Sequence, residues 1–353
     1  MATRDSRPDL AAPIRALLDA AGTPANRDVL ADILGTAARL AGDGADRLDL
    51  KITAAALREM RAAFRAFAPY KGRPKVTIFG SARTQPDDPV YALARDIAAR
   101  LAESDWMVVT GAGPGIMAAG HEGAGRDHAF GVNIRLPFEQ GANEFIARDP
   151  KLVEMKYFFT RKLMLLKESN GFVVLPGGFG TLDEAFELLT LLQTGKAEPA
   201  PIVLLDMPGG TYWQGWERFL DEEVASRGLV SPSDHALWLR TDNVDAAADE
   251  ILNFYSNYHS LRYVAGRLVI RLQRAPTAAQ LAALTEQFSD ICVSGGIEAV
   301  DPSAGEVNDG DHVDLPRIAL HFDRMQHDRL RDLINTLNSY APMPDTVPES
   351  IAD

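Results

Sequence analysis

The segment Pro176-Gly177-Gly178-Phe179-Gly180-Thr181-Leu182-Asp183-Glu184 brings glycines, a hydroxyl and two carboxylates into one short stretch. The apolar run Phe172-Val173-Val174-Leu175 precedes it and Ala185-Phe186-Glu187-Leu188-Leu189 follows, which predicts a strand, a tight turn and a helix start. Glycines at such a turn let backbone N–H groups close on an anion, and the helix N-terminus adds roughly half a positive charge. A phosphate suits that setting. Asp183 and Glu184 lie one turn in, within reach of whatever the phosphate carries. Successive helix residues point about 100° apart, so only one of the two faces a ligand. The plainer reading is a βα turn with Thr181 as a helix cap.

Gly80-Ser81 and Gly111-Ala112-Gly113-Pro114-Gly115 also follow apolar runs, Val76-Thr77-Ile78-Phe79 and Trp106-Met107-Val108-Val109-Thr110. In a parallel sheet all three ends share one edge, where several loops together can build a nucleotide site. The Gly-Ala-Gly-Pro-Gly run is a poor dinucleotide fingerprint. Val132-Asn133-Ile134-Arg135 puts no acidic residue where a ribose partner belongs, and the Walker ending Gly-Lys-Ser/Thr is missing.

The elements around these loops alternate. Residues 1–72 read as an alanine-rich helical extension, with Ile14-Leu17-Leu18 and Ala55-Leu57-Met60-Phe64-Phe67 close to a helix period. Residues 73–260 read as strands near 76–79, 106–110, 130–136, 152–157, 172–175, 202–205 and 237–239. Helices fall between them, among them 90–103, 161–168, 213–226 and 244–258. The pattern predicts an α/β fold, a Rossmann-like doubly wound parallel sheet with right-handed crossovers. Residues 261–341 shift to a strand or bent hairpin (263–272), a helix (278–288), a strand (318–322) and a helix (327–337), a small C-terminal α+β appendix. Residues 342–353 are expected to be a disordered tail.

Composition narrows the function. The chain has 353 residues, 46% hydrophobic, enough for a substantial core. No apolar run reaches the ~20 residues of a membrane span, and the start lacks a secretory core segment. The one cysteine, Cys292, allows no internal disulfide and reads as buried filler, which suits a reducing cytoplasm. A net charge of −13 disfavours nucleic acid as a partner but leaves room for a small anion in a locally positive pocket.

The block PGGFGTLDE, with Phe159-Thr160-Arg161-Lys162 upstream, resembles the paired PGGxGTxxE and RK motifs of the LOG (Lonely Guy) family, whose members are often mislabelled lysine decarboxylases. The similarity runs from about Val76 to Tyr258 and includes FGSAR (79–83), GAGPGIM (111–117), VNIRLPFEQ (132–140), LLTLLQTGK (188–196) and PIVLL (201–205). LPFEQ and LLQTGK are similar to the longer bacterial subgroup. The resemblance implies a phosphoribohydrolase that cleaves the N-glycosidic bond of an AMP-like nucleoside 5′-monophosphate, a class that includes cytokinin riboside monophosphates, to free base and ribose 5-phosphate.

It also implies Arg161 and Glu184 as the catalytic pair. Gly177, Gly178, Gly180 and Thr181 would hold the phosphate. Gly80, Ser81, Gly111, Gly113, Gly115, Met117, Glu139 and Lys162 are further substrate-binding candidates. The chemistry is consistent with this. A carboxylate stabilises the positive charge that grows on ribose as the base leaves and can deprotonate water, and an arginine offers planar donors to phosphate or hydroxyls. Ser81 is alternatively a turn residue, Met117 a core residue, Asp183 a favourable charge at a helix start, and His121 reads as structural. Tyr212, Trp213 and Trp216 read as helix packing. No metal or cofactor is expected. Family habit implies a cytoplasmic homodimer. A pyridoxal-dependent decarboxylase lacks a recognisable signature here. The competing class is a nucleotide sensor that binds without cleaving, with the appendix as its output.

Overall fold

The computed structural model describes residues 10–22, 25–135 and 141–340. The chain divides into two compact units, one ending at Glu59 and the other beginning at Met60. The first contains α1 (Ala11–Ala20), α2 (Arg27–Gly42) and the start of α3 (Arg47–Phe67).

The second unit opens with β1 (Lys75–Phe79), α4 (Pro89–Glu103), β2 (Met107–Thr110), α5 (Ile116–His128), β3 (Ala129–Ile134) and β4 (Leu152–Met155). It continues through α6 (Phe158–Lys167), β5 (Gly171–Val174), α7 (Phe179–Gln193), β6 (Ile202–Leu205), α8 (Tyr212–Phe219), β7 (Leu239–Thr241) and α9 (Val244–Asn253). These strands form a seven-stranded sheet in the order β4-β3-β2-β1-β5-β6-β7, every neighbouring pair parallel. That is the doubly wound α/β architecture expected from the sequence.

Burial explains why the central strands are mostly apolar rather than alternating. Both faces are covered, so β1, β2, β3, β5 and β6 are buried at every position. Val76, Ile78, Val108, Val173 and Val203 point into one core with α4, α5 and α9. Phe79, Val109, Phe172, Val174 and Ile202 point into the other with α6, α7 and α8. Local signals fix helix starts: Asp88 Oδ1 accepts from Val90 N at 2.8 Å, ahead of Pro89 in the first turn of α4.

The remaining elements are β8 (Tyr258–Val264), β9 (Arg267–Leu272), α10 (Ala278–Gln287), β10 (Cys292–Val300), α11 (Ala304–Asp309), β11 (Arg317–Phe322) and α12 (His327–Ser339). They form an antiparallel sheet ordered β10-β11-β9-β8 with its helices. Ala265 and Gly266, at φ 49° and 83°, make the tight turn between β8 and β9. Two boundaries and one further strand illustrate where the structure departs from the sequence expectation. The helix expected over 244–258 ends at Asn253, and Tyr258 opens a strand, because Asn338 Oδ1 takes the N–H groups of Asn257 (3.1 Å) and Tyr258 (2.8 Å). The strand near 237–239 is Leu239–Thr241, the preceding residues forming a 3-10 turn, Pro232–Leu237. β10 went unrecognised, since Gly295 and Gly296 interrupt its apolar signal and most of it is exposed.

Candidate active site

At the carboxyl rim of the parallel sheet the loops after β1, β2 and β5 converge around a cleft of about 850 Å³. Gly80, Ser81, Gly111, Gly113, Met117, Arg161, Gly177, Gly178, Gly180, Thr181 and Glu184 all line it. Gly115 and Lys162 do not. Glu139 lies outside the described residues, as does the tail 342–353.

The β5–α7 turn presents open backbone to the cleft. α7 starts at Gly178 with no side-chain cap, so its first-turn N–H groups are not taken by a side chain there. A Cβ at Gly178 or Gly180 would meet nothing within 4 Å, so the backbone there is open to a ligand. Gly177 differs, because a Cβ would fall 2.1 Å from Thr181 Oγ1. That glycine lets the turn close on its own helix.

The three loops are tied together through backbone bonds. Ser81 N donates to Pro176 O at 3.3 Å, and Ile116 N donates to Ser81 O at 3.0 Å. Ser81 Oγ accepts from Arg83 N at 3.1 Å, the bond of a turn residue. Gly115, at φ 65°, has its α-carbon so close to the β1 loop that a Cβ would sit 2.3 Å from Ser81 O. It serves loop-to-loop packing.

Glu184 lies in the first turns of α7, 6% exposed, with Oε2 lacking a hydrogen-bond partner among the described residues. Burial pushes its carboxyl up to about 7, against the opposing pull of Lys162 and Arg161. Arg161, from α6, donates Nε to Val132 O at 3.0 Å and Nη2 toward Gly111 O at 3.5 Å. Gly111 makes the space for it, since a Cβ there would lie 1.9 Å from Nη2. Lys162 points elsewhere, pairing with Asp183 at 2.9 Å and Glu187 at 2.6 Å. Adjacent helix residues diverge, and here the arginine takes the cleft side. Asp183 is engaged by that lysine and is largely exposed.

Behind the β2–α5 loop sits a buried polar network. His121 Nε2 lies 3.0 Å from both Thr110 Oγ1 and Phe130 O. A carbonyl only accepts, so Nε2 carries the proton and Nδ1 accepts from Asn143 Nδ2 (3.2 Å), which also donates to Gly113 O (2.9 Å). Burial holds the imidazole down to about 4, so it stays neutral and structural.

Tyr212 corrects the sequence reading of helix packing. It lines the cleft, and its hydroxyl donates to Gly177 O at 2.7 Å, while its own N–H is held by Asp206 Oδ2 at 3.1 Å. In a trans peptide C=O and N–H point opposite ways, so this bond sets the direction of the Gly178 N–H. Only its distance in sequence from the glycine turn hid it. Trp213 and Trp216 are buried packing residues, as expected.

Fold and site together define a Rossmann-like protein with a glycine-rich βα turn and a buried carboxylate beside it. A family profile described as "Possible lysine decarboxylase" matches residues 114–251. A Mycobacterium marinum protein named cytokinin riboside 5′-monophosphate phosphoribohydrolase is 30% identical over 178 residues, which cover 50% of this chain and 92% of that one. The chain belongs to this family, the LOG phosphoribohydrolases. A rice protein named "Probable cytokinin riboside 5'-monophosphate phosphoribohydrolase LOGL3" is 33% identical over 99 residues, 28% of this chain. The match spans less than half of that relative, 44% of its length. Among solved structures, the molybdenum cofactor carrier protein of Chlamydomonas reinhardtii overlaps 50% of this chain and 94% of its own at 19% identity and TM-score 0.36, too loosely to bear on ligand or activity.

Proposed function

We propose that this protein is a nucleoside 5′-monophosphate phosphoribohydrolase. The observation that carries the reading is the buried Glu184 carboxylate, one oxygen without a partner, in the first turns of a helix whose uncapped start opens on a glycine turn. The 5′-phosphate binds the N–H groups of the β5–α7 turn, and Thr181 adds a hydroxyl beside it. Ribose then lies against Glu184 and Arg161.

As the C1′–N bond breaks, its electrons leave with the base and positive charge grows on the ribose. The Glu184 carboxylate stabilises that charge and takes a proton from the attacking water, whose oxygen bonds to C1′. The proton passes on to the departing base, leaving ribose 5-phosphate and a neutral base. Arg161 orients phosphate or ribose hydroxyls and favours the ionised form of Glu184.

The relatives' names favour a cytokinin riboside monophosphate, and AMP is the simplest member of that substrate class. A homodimer fits the exposed aromatic side chains Phe158, Phe159, Phe179 and Phe186 of α6 and α7. A cytoplasmic setting suits a chain with a single cysteine. Among the described residues no helix is long and apolar enough to cross a membrane.

The test is chromatographic release of base from AMP, GMP, CMP, UMP, IMP and isopentenyladenosine monophosphate, beside Glu184→Gln. Base plus ribose 5-phosphate from the wild type, and at least 10³-fold less from the variant, is expected. Tight nucleotide binding with no release from any of them would favour a sensor.

A further inference from the structure

Asn133 is a polar residue that the mechanism does not use. It stands at the end of β3, is 5% exposed and lines the cleft. Its carboxamide makes no hydrogen bond with any described residue, whereas His121, Thr110 and Asn143 nearby are all engaged. The residue is nearly enclosed but its amide atoms are not sealed off, so they open on the cleft, where a ligand can take both donor and acceptor.

Its place along the sheet says which part of a ligand that is. The phosphate turn follows β5, and three strand spacings separate β5 from β3 through β1 and β2. At ~4.8 Å per spacing, the two strand ends lie about 14 Å apart. A nucleoside 5′-monophosphate anchored by its phosphate at β5, with ribose against Glu184, reaches β3 with its base. Met117, Gly113 and Ile134 line the same cleft as Asn133.

We infer that the Asn133 carboxamide reads the base of the bound nucleotide, donating to one group of its edge and accepting from the neighbouring one. Every nucleobase carries a donor next to an acceptor, and the paired N–H and C=O of asparagine match that arrangement, best known for adenine. Asn133 is thus a specificity-determining residue, remote from the bond that breaks. This role rests on the nucleotide reading above, which fixes the phosphate end of the ligand.

The experiment compares AMP with ribose 5-phosphate, which has no base, in the full chain carrying Asn133→Leu or Asn133→Ser. KM for AMP rises about tenfold in both, and calorimetric affinity for AMP falls in step. Affinity for ribose 5-phosphate stays within twofold of wild type. Equal loss of both ligands, or unchanged AMP affinity in both variants, would overturn the assignment. If the wild type binds nucleotide but releases no base, the hydrolase reading alone fails, and the comparison of the two affinities still decides the role of Asn133.

Discussion

At the scale of single residues, Glu184 carries the most testable physics. Its carboxyl titrates near 7 because it is buried, so half of it is protonated at neutral pH. A base must be ionised to act, so kcat/KM is expected to rise with pH through about 7 and level off above. Residual activity of Glu184→Gln should be flat over the same range. Stability carries the opposite sign. Between the ordinary carboxylate value of 4.5 and about 7 the folded chain binds more protons than the unfolded one, so stability falls as pH rises through that window. Glu184→Gln escapes the loss. Its melting temperature should match wild type near pH 4.5 and exceed it at pH 8, by on the order of 1–3 kcal/mol in unfolding free energy. Equal melting curves at pH 8 would mean that the carboxylate is solvated after all. Tyr212 provides a subtler case. Tyr212→Phe keeps the ring and removes one hydrogen bond to Gly177 O, worth about 0.5–1.5 kcal/mol. KM for nucleotide should rise roughly 2- to 10-fold with kcat nearly kept, read from initial rates.

At the scale of elements, the glycine loops divide into two kinds that the sequence alone does not separate. Gly111→Ala would drive a Cβ into the guanidinium of Arg161 and the sulfur of Met117, both ends of flexible side chains. The fold should survive and kcat/KM fall by about 100-fold, since a displacement near 1 Å is enough for that. Gly115→Ala would strike the Ser81 carbonyl from a backbone at φ 65°, so it should lower the melting temperature sharply. Calorimetry beside kinetics separates the two outcomes. The strand ends and their glycines were legible because buried parallel strands are mostly apolar and these three, β1, β2 and β5, stop at a turn signal. What was not legible required the third dimension. Nothing in spacing says that Arg161 faces the cleft while Lys162 turns to Asp183 and Glu187, or that Tyr212 returns to the glycine turn. The exposed edge strand β10 has no continuous apolar run to betray it, and the end of α9 is set by Asn338, about eighty residues away.

At the scale of the whole molecule, the C-terminal sheet shares a core with the parallel sheet. Val173 and Val203 of the parallel sheet, Ile251 and Phe254 near α9, Leu268 and Ile270 of β9, and Leu333 and Ile334 of α12 belong to one buried cluster. Polar groups clamp the same junction. Asn338 Nδ2 donates to Phe254 O at 2.6 Å, Asn257 Nδ2 donates to Leu337 O at 2.9 Å, and Arg331 pairs with Glu250 while lying over the Phe254 ring. Ending the chain at residue 260 would take the Arg331 guanidinium off the Phe254 ring, remove the β9 partner of Tyr258, and strand the Phe254 carbonyl and the Asn257 and Tyr258 N–H groups, at about 1.5–3 kcal/mol for each large side chain uncovered and about 1–3 kcal/mol for each backbone group left unpaired. The total rivals the whole stability of a domain. Such a chain is therefore expected to aggregate or to lack a cooperative melting transition, although every residue assigned to the cleft lies before its end. A soluble chain of residues 1–260 with wild-type base release would make the appendix a separable module. Loss of folding instead would mean that any signal received by the C-terminal sheet reaches α9, and through it β5 and the glycine turn, by way of continuous packing.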